Sequence, residues 1–349
     1  MSGVALIGFG YAGRVFHAPL ISATPGLTLT VIASRRDRGA GSIYPGAVLV
    51  SDAISAIRHP GVDLVVIATP NDTHAALAEA ALEAGKHVVV DKPFTITAAE
   101  ARALTAAAAA AGRVLSVFQN RRWDSDFLGI RREIAGGRIG EVVEVRSEMS
   151  RHRPTIRDRW RERAGPGSGV WYDLGPHLID QALLLLGPPD SLYADLQVQR
   201  TGGEAVDWFH AVLGYGSARV ILSSSMLAAE SPARFLVRGT KGSLIKRHGD
   251  VQEEQLARGL EPGSPGWGRD PDPLIFVAGE EESPAELPAP AGDYLEYYAA
   301  IRDAVRGDGE PPVTPAQAVG VMDLIEAGIR SSAEGRMVGL GPAARHVGD

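Results

Sequence analysis

The sequence predicts an α/β protein: first a doubly wound parallel sheet with helices on both faces, then an α+β domain with a mostly antiparallel sheet. Three observations predict this class. The chain has 349 residues, a length that favours two domains. Over residues 1–120, short apolar runs alternate with helix-favouring segments, which is typical of βαβ units. After Asn120 come strand-like runs with few helices between them, which is typical of an α+β domain.

Composition excludes several classes of function. Asp and Glu number 42 against 35 Lys and Arg, so the formal net charge is −7. A net-acidic chain argues against nucleic acid or an anionic membrane as a partner. The absence of cysteine excludes disulfides, thiolate metal sites and cysteine nucleophiles. No apolar run approaches the ~18 residues of a membrane helix, and the first residues lack a signal peptide's basic region. We expect a soluble, cytoplasmic protein.

The first domain, placed at residues 1–120, is expected to hold five buried parallel strands, because short apolar runs recur between turn signals. These runs are Val4–Ile7, Leu29–Ala33, Leu64–Ala68, His87–Val90 and Val114–Phe118. Alanine has the highest helix propensity, so the alanine-rich stretches predict helices. They are Thr73–Ala84 and Thr97–Ala111.

The second domain, placed at residues 121–312, is expected to be largely antiparallel. The strand-like runs are Val142–Glu148, Leu192–Arg200, Phe209–Tyr215, Ala218–Ser225 and Arg234–Arg238, with one strong helix at Gly175–Leu186. Gly-Tyr-Gly at 214–216 predicts a hairpin turn. Residues 250–292, rich in Pro, Gly and Glu, are expected to form a long excursion. Helical pattern returns at Asp293–Arg306 and Pro315–Ser331, and residues 313–349 form a C-terminal helix and tail.

A glycine motif directly follows the first predicted strand and opens a helical stretch, the context of a dinucleotide-binding Rossmann turn. It reads Gly8-Phe9-Gly10-Tyr11-Ala12-Gly13, which matches G-x-G-x-x-G. In such a turn the first glycine makes the bend, the second lets the backbone approach a pyrophosphate, and the third lets helix pack on strand. The alternative is a tight β–α turn that binds no ligand.

The end of the second strand predicts NADP rather than NAD. An NAD site usually carries Asp or Glu there for the ribose 2′-hydroxyl, but this chain has Ser34, Arg35 and Arg36. Guanidinium forks suit a 2′-phosphate. Asp37 could partly neutralise the arginines, and a solvated arginine pair is the alternative interpretation.

The third and fourth strands also end in polar motifs, and ligands bind at the carboxyl ends of strands in an open α/β sheet. Thr69-Pro70-Asn71-Asp72-Thr73-His74 could contact ribose or nicotinamide, or could simply cap the next helix. Asp91-Lys92-Pro93 would place an ammonium in the same crevice, where it could hydrogen-bond a substrate oxygen or exchange a proton with it. A surface lysine in a turn is equally compatible with the spacing.

Asp173 and His177 have i, i+4 spacing, which places two side chains on one helix face. Gly175-Pro176 moves Asp173 to just before the helix or its cap and His177 into the first turn. A carboxylate that orients a histidine ring is an arrangement suited to a general base. We see no ligand cluster with metal spacing and expect no metal.

A basic segment at residues 151–163 carries six arginines and two carboxylates. The interleaved Trp160 makes a nucleic-acid patch conceivable. In an acidic chain, just before the Asp173 motif, a substrate-binding or interface loop is the favoured interpretation. Trp160 could stack on the apolar face of a sugar or lie in the core.

Taken in order, these motifs resemble the Gfo/Idh/MocA oxidoreductase family over nearly the whole chain. They are Gly8–Gly13, Thr69–His74, Asp91-Lys92-Pro93 and Asp173-Leu174-Gly175-Pro176-His177. Residues 13–20, 119–127, 160–162, 171–181 and 263–268 further resemble its NADP-dependent scyllo-inositol dehydrogenase-like branch. The resemblance implies a second domain with a large open sheet, substrate bound between the domains, and a homodimer or homotetramer formed through that sheet. One departure is Asp91, since the family usually has Glu-Lys-Pro.

The resemblance implies hydride transfer between nicotinamide C4 and a secondary alcohol or ketone of a cyclic polyol or sugar, with Lys92, Asp173 and His177 catalytic. Whether Lys92 or His177 accepts the proton stays open. The expected substrate contacts are Lys92, Trp160, Arg161, Asp173 and His177. The expected cofactor contacts are Gly8, Phe9, Gly10, Tyr11, Ala12, Gly13, Ser34, Arg35, Arg36, Thr69, Pro70, Asn71, His74, Asp91, Lys92 and Asn120. The alternatives are a reductase of another carbonyl or imine, or a non-catalytic dinucleotide-binding regulator.

Overall fold

The computed structural model describes residues 1–36, 38–230, 232–279 and 283–341. Within these ranges the strands are β1 Ser2–Ile7, β2 Leu27–Ala33, β3 Val48–Val50, β4 Leu64–Ile67, β5 His87–Val90, β6 Leu115–Val117, β7 Val142–Glu148, β8 Ser191–Gln197, β9 Trp208–Tyr215, β10 Ala218–Ser225, β11 Phe235–Gly239, β12 Gly242–Lys246, β13 Leu274–Ala278, β14 Ala285–Leu287 and β15 Val338–Gly339.

The α-helices are α1 Ala18–Ala23, α2 Ala40–Ile43, α3 Ala53–Ile57, α4 His74–Glu83, α5 Ala98–Ala111, α6 Ser125–Ala135, α7 Gly169–Asp173, α8 Gly175–Leu186, α9 Gln252–Ala257, α10 Leu295–Arg306 and α11 Pro315–Glu334. A π-helical turn covers Gly13–His17, and short 3₁₀ turns cover Asn71–Thr73, Asn120–Trp123 and Trp160–Glu162. None of the helices in the described ranges has the length and apolar character needed to cross a bilayer.

The chain forms two units, which we call unit 1 and unit 2. Unit 1 comprises residues 1–120, 252–267 and 293–319, and unit 2 comprises residues 121–251, 268–292 and the chain from Gly320 onward. The first stretch of unit 1 ends at Asn120, and the chain returns to unit 1 twice after it. The reason is burial: Tyr294, Tyr297 and Tyr298 are fully buried in the core of unit 1, where Tyr297 packs edge-on against Phe118.

Unit 1 is a parallel six-stranded sheet in the order β3-β2-β1-β4-β5-β6. This is the doubly wound order, whose direction reverses between β1 and β4. Apart from Ser2 at the start of β1, the central strands β1 and β4 carry only apolar residues and glycine and are buried, as a sheet covered on both faces requires. The predicted Rossmann fold is therefore confirmed. The three-residue β3 escaped prediction because Val48 and Leu49 are exposed at the sheet edge and carry no burial pattern.

Unit 2 holds a nine-stranded sheet in the order β14-β13-β12-β11-β7-β10-β9-β8-β15, antiparallel except for the β7–β10 pair. Its strands alternate between a buried and a half-exposed face, so the predicted large open, mostly antiparallel sheet is confirmed. The excursion predicted for residues 250–292 is wrong, since α9, β13 and β14 form there. The apolar run of β13 is short and its partner β12 is distant in sequence. The surrounding Pro, Gly and Glu residues therefore outweighed the strand signal of this run.

Candidate functional site

The glycine turn follows β1, and its three glycines have different surroundings. Gly8 has φ of +99°, and a Cβ there would lie 2.4 Å from the Ala68 carbonyl oxygen. A Cβ on Gly13 would lie 2.0 Å from the Gly8 carbonyl oxygen. The fold itself therefore requires glycine at these two positions.

Gly10 differs from both, because a Cβ at this position would meet no atom of the described chain within 4 Å. The open space lies where the second glycine of such a turn admits a pyrophosphate. The residues present therefore fit a dinucleotide. Phe9 is buried and packs edge-on against Tyr44, so its side chain belongs to the core, whereas Tyr11 is half exposed and donates to Glu253.

The end of β2 lies directly beside this turn. Ala33 pairs with Ile7 in the sheet, and the Gly8 N–H donates to the Ala33 carbonyl at 2.9 Å. The Ser34 hydroxyl donates to the Arg36 carbonyl at 2.7 Å, which shapes a turn that leaves Arg35 and Arg36 exposed. The pairing of β1 with β2 thus brings the predicted phosphate-binding arginines to the same carboxyl end of the sheet as the glycine turn. Asp37 lies outside the described residues.

The motif after β4, residues 69–74, is held by hydrogen bonds between its own residues. The Thr73 hydroxyl lies 2.7 Å from both the Pro70 carbonyl and the Thr69 hydroxyl. Thr73 occupies the N-cap of α4, yet its side chain makes no capping bond there, so the helix-capping interpretation does not describe it. Asn71 is buried, and Pro70 is exposed.

His74 ties the ends of β4 and β5 together. Its Nδ1 lies 2.8 Å from the Pro93 carbonyl oxygen and its Nε2 lies 3.0 Å from the Thr69 carbonyl oxygen. Burial lowers the pKa of His74, although the nearby Asp91 carboxylate and the two carbonyl oxygens act in the opposite direction. His74 therefore has a positioning role in unit 1, and its side chain is enclosed by the protein.

Asp91 sits at the centre of a buried polar network beneath Lys92. It accepts the Lys92 backbone N–H at 2.8 Å, and His17 Nε2 lies 3.7 Å from its Oδ2. His17 Nδ1 in turn lies 2.6 Å from the Tyr298 hydroxyl. Burial would raise the pKa of Asp91, but His17, with Lys92 and His74, holds it below the ordinary range. Asp91 therefore stays ionised and holds the backbone of the half-buried Lys92, which a cis bond joins to Pro93.

His17 and Tyr298 are structural contributors to the candidate site that the sequence argument did not assign. His17 belongs to the π-helical turn, and Tyr298 comes from α10, far away in the chain. Local pattern gives no signal for such a pair, although a fully buried histidine beside the glycine turn is a recognisable hint. Asn120, also buried, begins the 3₁₀ turn after β6.

The candidate residues of unit 2 lie where two helices meet. Asp173 ends α7, and His177 is the third residue of α8, in its first turn. His177 is only 4% exposed, whereas the Asp173 side chain is 30% exposed and lies 3.5 Å from the Arg161 guanidinium. Arg161 covers the Trp160 ring at 4.4 Å, so one face of that ring is already occupied.

Helix α8 is anchored by polar contacts on its buried side. Asp180 receives two hydrogen bonds from Arg122, at 2.9 and 2.7 Å. Gln181 donates to the Arg121 carbonyl at 2.9 Å and accepts from Arg234 at 2.6 Å. These arginines fix the helix that carries His177, and none of them is among the predicted site residues. Across the described ranges, no three histidine or carboxylate side chains converge as a metal ion would require.

Comparison with known proteins places the chain in a family. Residues 2–119 match the model described as "Oxidoreductase family, NAD-binding Rossmann fold", and residues 131–340 match "Oxidoreductase family, C-terminal alpha/beta domain", both of Gfo/Idh/MocA. The chain is 53% identical to the uncharacterized oxidoreductase YdgJ of Escherichia coli K12, over 94% of this chain and 96% of that one.

Two further relatives cover nearly the full length. The scyllo-inositol 2-dehydrogenase (NADP(+)) IolW of Bacillus subtilis is 36% identical, over 97% of this chain and 95% of that one. A solved structure from Klebsiella pneumoniae has 48% identity and a TM-score of 0.92, and the match covers 99% and 98% of the two chains. The protein therefore belongs to the Gfo/Idh/MocA family of oxidoreductases.

Proposed function

We propose that the protein is an NADP-dependent dehydrogenase or reductase acting on a secondary alcohol or ketone of a cyclic polyol or sugar. The observation that carries the proposal is the set of groups at one edge of the unit 1 sheet. The open Gly10 position, the exposed Arg35 and Arg36, and the supported Lys92 all follow carboxyl ends of parallel strands. The name of the IolW relative supports both the nucleotide and the substrate class.

The dinucleotide would be held by the backbone around Gly10, by Ser34, Arg35 and Arg36, and by the turns at Thr69 and Lys92. When bound, it supplies the hydride chemistry, accepting or returning hydride at the nicotinamide ring. Arg35 and Arg36 favour NADP because forked guanidinium donors pair with a phosphate. The first three residues after β2 are Ser34, Arg35 and Arg36, so none of them carries a carboxylate that would repel that phosphate.

The chain's own residues would handle the proton. In the oxidative direction His177 takes the hydroxyl proton of the substrate, and Lys92 donates a hydrogen bond that stabilises the developing alkoxide. Asp173, positioned by Arg161, orients the imidazole or binds a second hydroxyl. The two roles can also be exchanged. In that case Lys92 accepts the hydroxyl proton, and His177 donates the hydrogen bond to the developing alkoxide.

The test is a rate measurement at the nicotinamide absorbance band, with NADP or NAD and a panel of inositols and aldoses. We expect kcat/KM with NADP to exceed that with NAD by about tenfold or more, the range of one or two charge-assisted hydrogen bonds. Arg35→Ser should reduce that ratio. Arg58→Ser, on the exposed end of α3, is the matched control and should leave it unchanged. Equal rates with both nucleotides would refute the NADP preference, and no rate with any polyol or sugar would refute the substrate class.

A further inference from the structure

Unit 2 contains a pocket lined by five arginines, and the proposed chemistry uses only one of them, Arg161. We call it the arginine pocket and define it by Arg151, Arg153, Arg159, Arg161, Glu162, Asp173 and Arg200. Gly169 and apolar side chains close the remaining wall, among them Val170 and Met226. Asp173 therefore faces the same concavity as the arginines, which connects the pocket to the residues proposed to act on substrate.

An extended segment places two of these arginines on one side. The backbone N–H groups of Met149, Arg151 and Arg153 donate to carbonyls at the end of β10 and just beyond it. In an extended chain alternate residues point the same way, so Arg151 and Arg153 both face the pocket. Both side chains are half-buried, which removes part of their hydration.

The other three arginines have carboxylate partners. Arg159 donates to Glu162 at 2.6 Å, and Arg200 donates to Glu162 at 3.0 Å and to Asp207 at 2.8 Å. Arg161 lies 3.5 Å from Asp173. Burial would raise the pKa of Glu162, but the Arg157 N–H, Arg159 and Arg200 hold it below the ordinary range. Glu162 is therefore ionised, and each of these three arginines has a carboxylate partner.

Arg151 and Arg153 have no such balance. Within the described ranges, neither guanidinium has a carboxylate within ion-pair distance. Burial lowers the pKa of Arg153, and the nearby Arg151, Arg157 and Arg159 lower it further. The Glu162 carboxylate acts in the opposite direction and offsets only part of this effect. Like charges are thus held together in a partly desolvated pocket, which is the environment that an oxyanion would stabilise.

We propose that the arginine pocket binds an oxyanion on the substrate, so that the natural substrate is an acidic sugar or polyol bearing a carboxylate or a phosphate monoester. Arg151 and Arg153 are then specificity-determining residues. The inference rests on the proposed function for the sugar part of the ligand, whereas the anion site stands on the pocket alone. The basic segment is a poor nucleic-acid surface because it is folded back onto Glu162 and presents its two unbalanced charges inside a concavity.

Calorimetric titration of the full-length protein with D-glucuronate, glucose 6-phosphate and scyllo-inositol tests the site without relying on turnover. We expect one of the two anions to bind at least tenfold more tightly than scyllo-inositol, and the favoured anion identifies carboxylate or phosphate. Arg153→Gln should abolish that preference and Arg153→Lys should restore part of it. Arg163→Gln, in the same segment but exposed and paired with Asp158, is the matched control and should bind like the wild type.

The outcomes separate this inference from the proposed function. Preferred anion binding that is lost in Arg153→Gln supports the pocket even if no polyol is turned over. Equal binding of the neutral and charged ligands, or anion binding that survives in both Arg153→Gln and Arg151→Gln, overturns the inference even if inositols are oxidised rapidly. In steady-state assays the Arg153→Gln change should raise KM for the acidic substrate about tenfold and leave kcat within twofold.

Discussion

His177 is the residue whose replacement tests the proposed chemistry most simply. Replacement by Asn keeps a polar side chain in the first turn of α8 but removes the imidazole that we propose exchanges a proton. We expect kcat to fall by about 10²–10⁴-fold, the usual contribution of a general acid or base. The thermal midpoint and the affinity for NADPH should stay close to wild type. A variant that turns over at the full rate would remove His177 from the mechanism.

His74 should make stability depend on pH. Burial lowers its pKa from an ordinary 6.5. Just below pH 6.5 the imidazole is therefore protonated in the unfolded chain but not in the folded protein. The contribution of His74 to the free energy of unfolding is therefore complete above pH ~6.5 and declines as the pH falls below it. Urea unfolding at pH 7.5 and pH 5.5 should show a smaller loss in His74→Gln than in wild type, and an equal loss would contradict this.

Residue roles were predictable where local geometry sets them. Gly8 and Gly13 are required by a turn spanning a few residues, and Asp173 and His177 occupy the positions that Gly175-Pro176 dictates. The support of Asp91 by His17 was not predictable, because the two are joined only after the sheet has formed. The ion pair of Arg122 with Asp180 of α8 was not predictable for the same reason.

At the scale of elements, α8 depends on one buried ion pair. Asp180 and Arg122 are both nearly inaccessible and joined by two hydrogen bonds. Asp180→Asn removes the carboxylate that accepts both of these bonds, and removing one partner of such a pair costs about 3–5 kcal/mol of unfolding free energy. Chemical denaturation measures this loss. Asp158→Asn, at the exposed pair with Arg163, is the control and should change stability little. A small loss in Asp180→Asn would show that the pair does not anchor the helix.

Elements with a strong period were predicted with their bounds. The helix at Gly175–Leu186 and the strands Val142–Glu148 and Ala218–Ser225 occur as predicted, because a 3.6-residue or two-residue alternation of apolar residues is visible without knowing the partner. β12 and β13 were missed because they are short and gain their stability from pairing with each other.

At the scale of the whole molecule, the open face of the unit 2 sheet supports the expected self-association. One register row crosses seven neighbouring strands and is apolar at six of its seven positions: Tyr193, Val212, Ile221, Arg146, Leu236, Ile245 and Ile275. The six apolar side chains of the row are half-exposed. A mainly apolar row on a sheet face, interrupted here only by Arg146, is typical of a protein–protein interface.

We therefore expect light scattering to give the mass of a dimer or tetramer for the wild type. Val212→Glu places a charge in the middle of the row and should give a monomer. Glu286→Gln, on the exposed edge strand β14, is the control and should leave the mass unchanged. A wild-type monomer, or an oligomer that survives the Val212→Glu change, would contradict an interface on this face.

The central claim is that unit 1 binds a dinucleotide at the glycine turn, and Gly10 tests it most directly. A Cβ at Gly10 meets no described atom, whereas one at Gly13 lies 2.0 Å from the Gly8 carbonyl oxygen. Gly13→Ala should therefore lose about 1–3 kcal/mol of unfolding free energy, as overpacking does. Gly10→Ala should keep wild-type stability and lose NADPH affinity at least tenfold in a fluorescence titration. A stable Gly10→Ala protein that binds NADPH like the wild type would contradict the account.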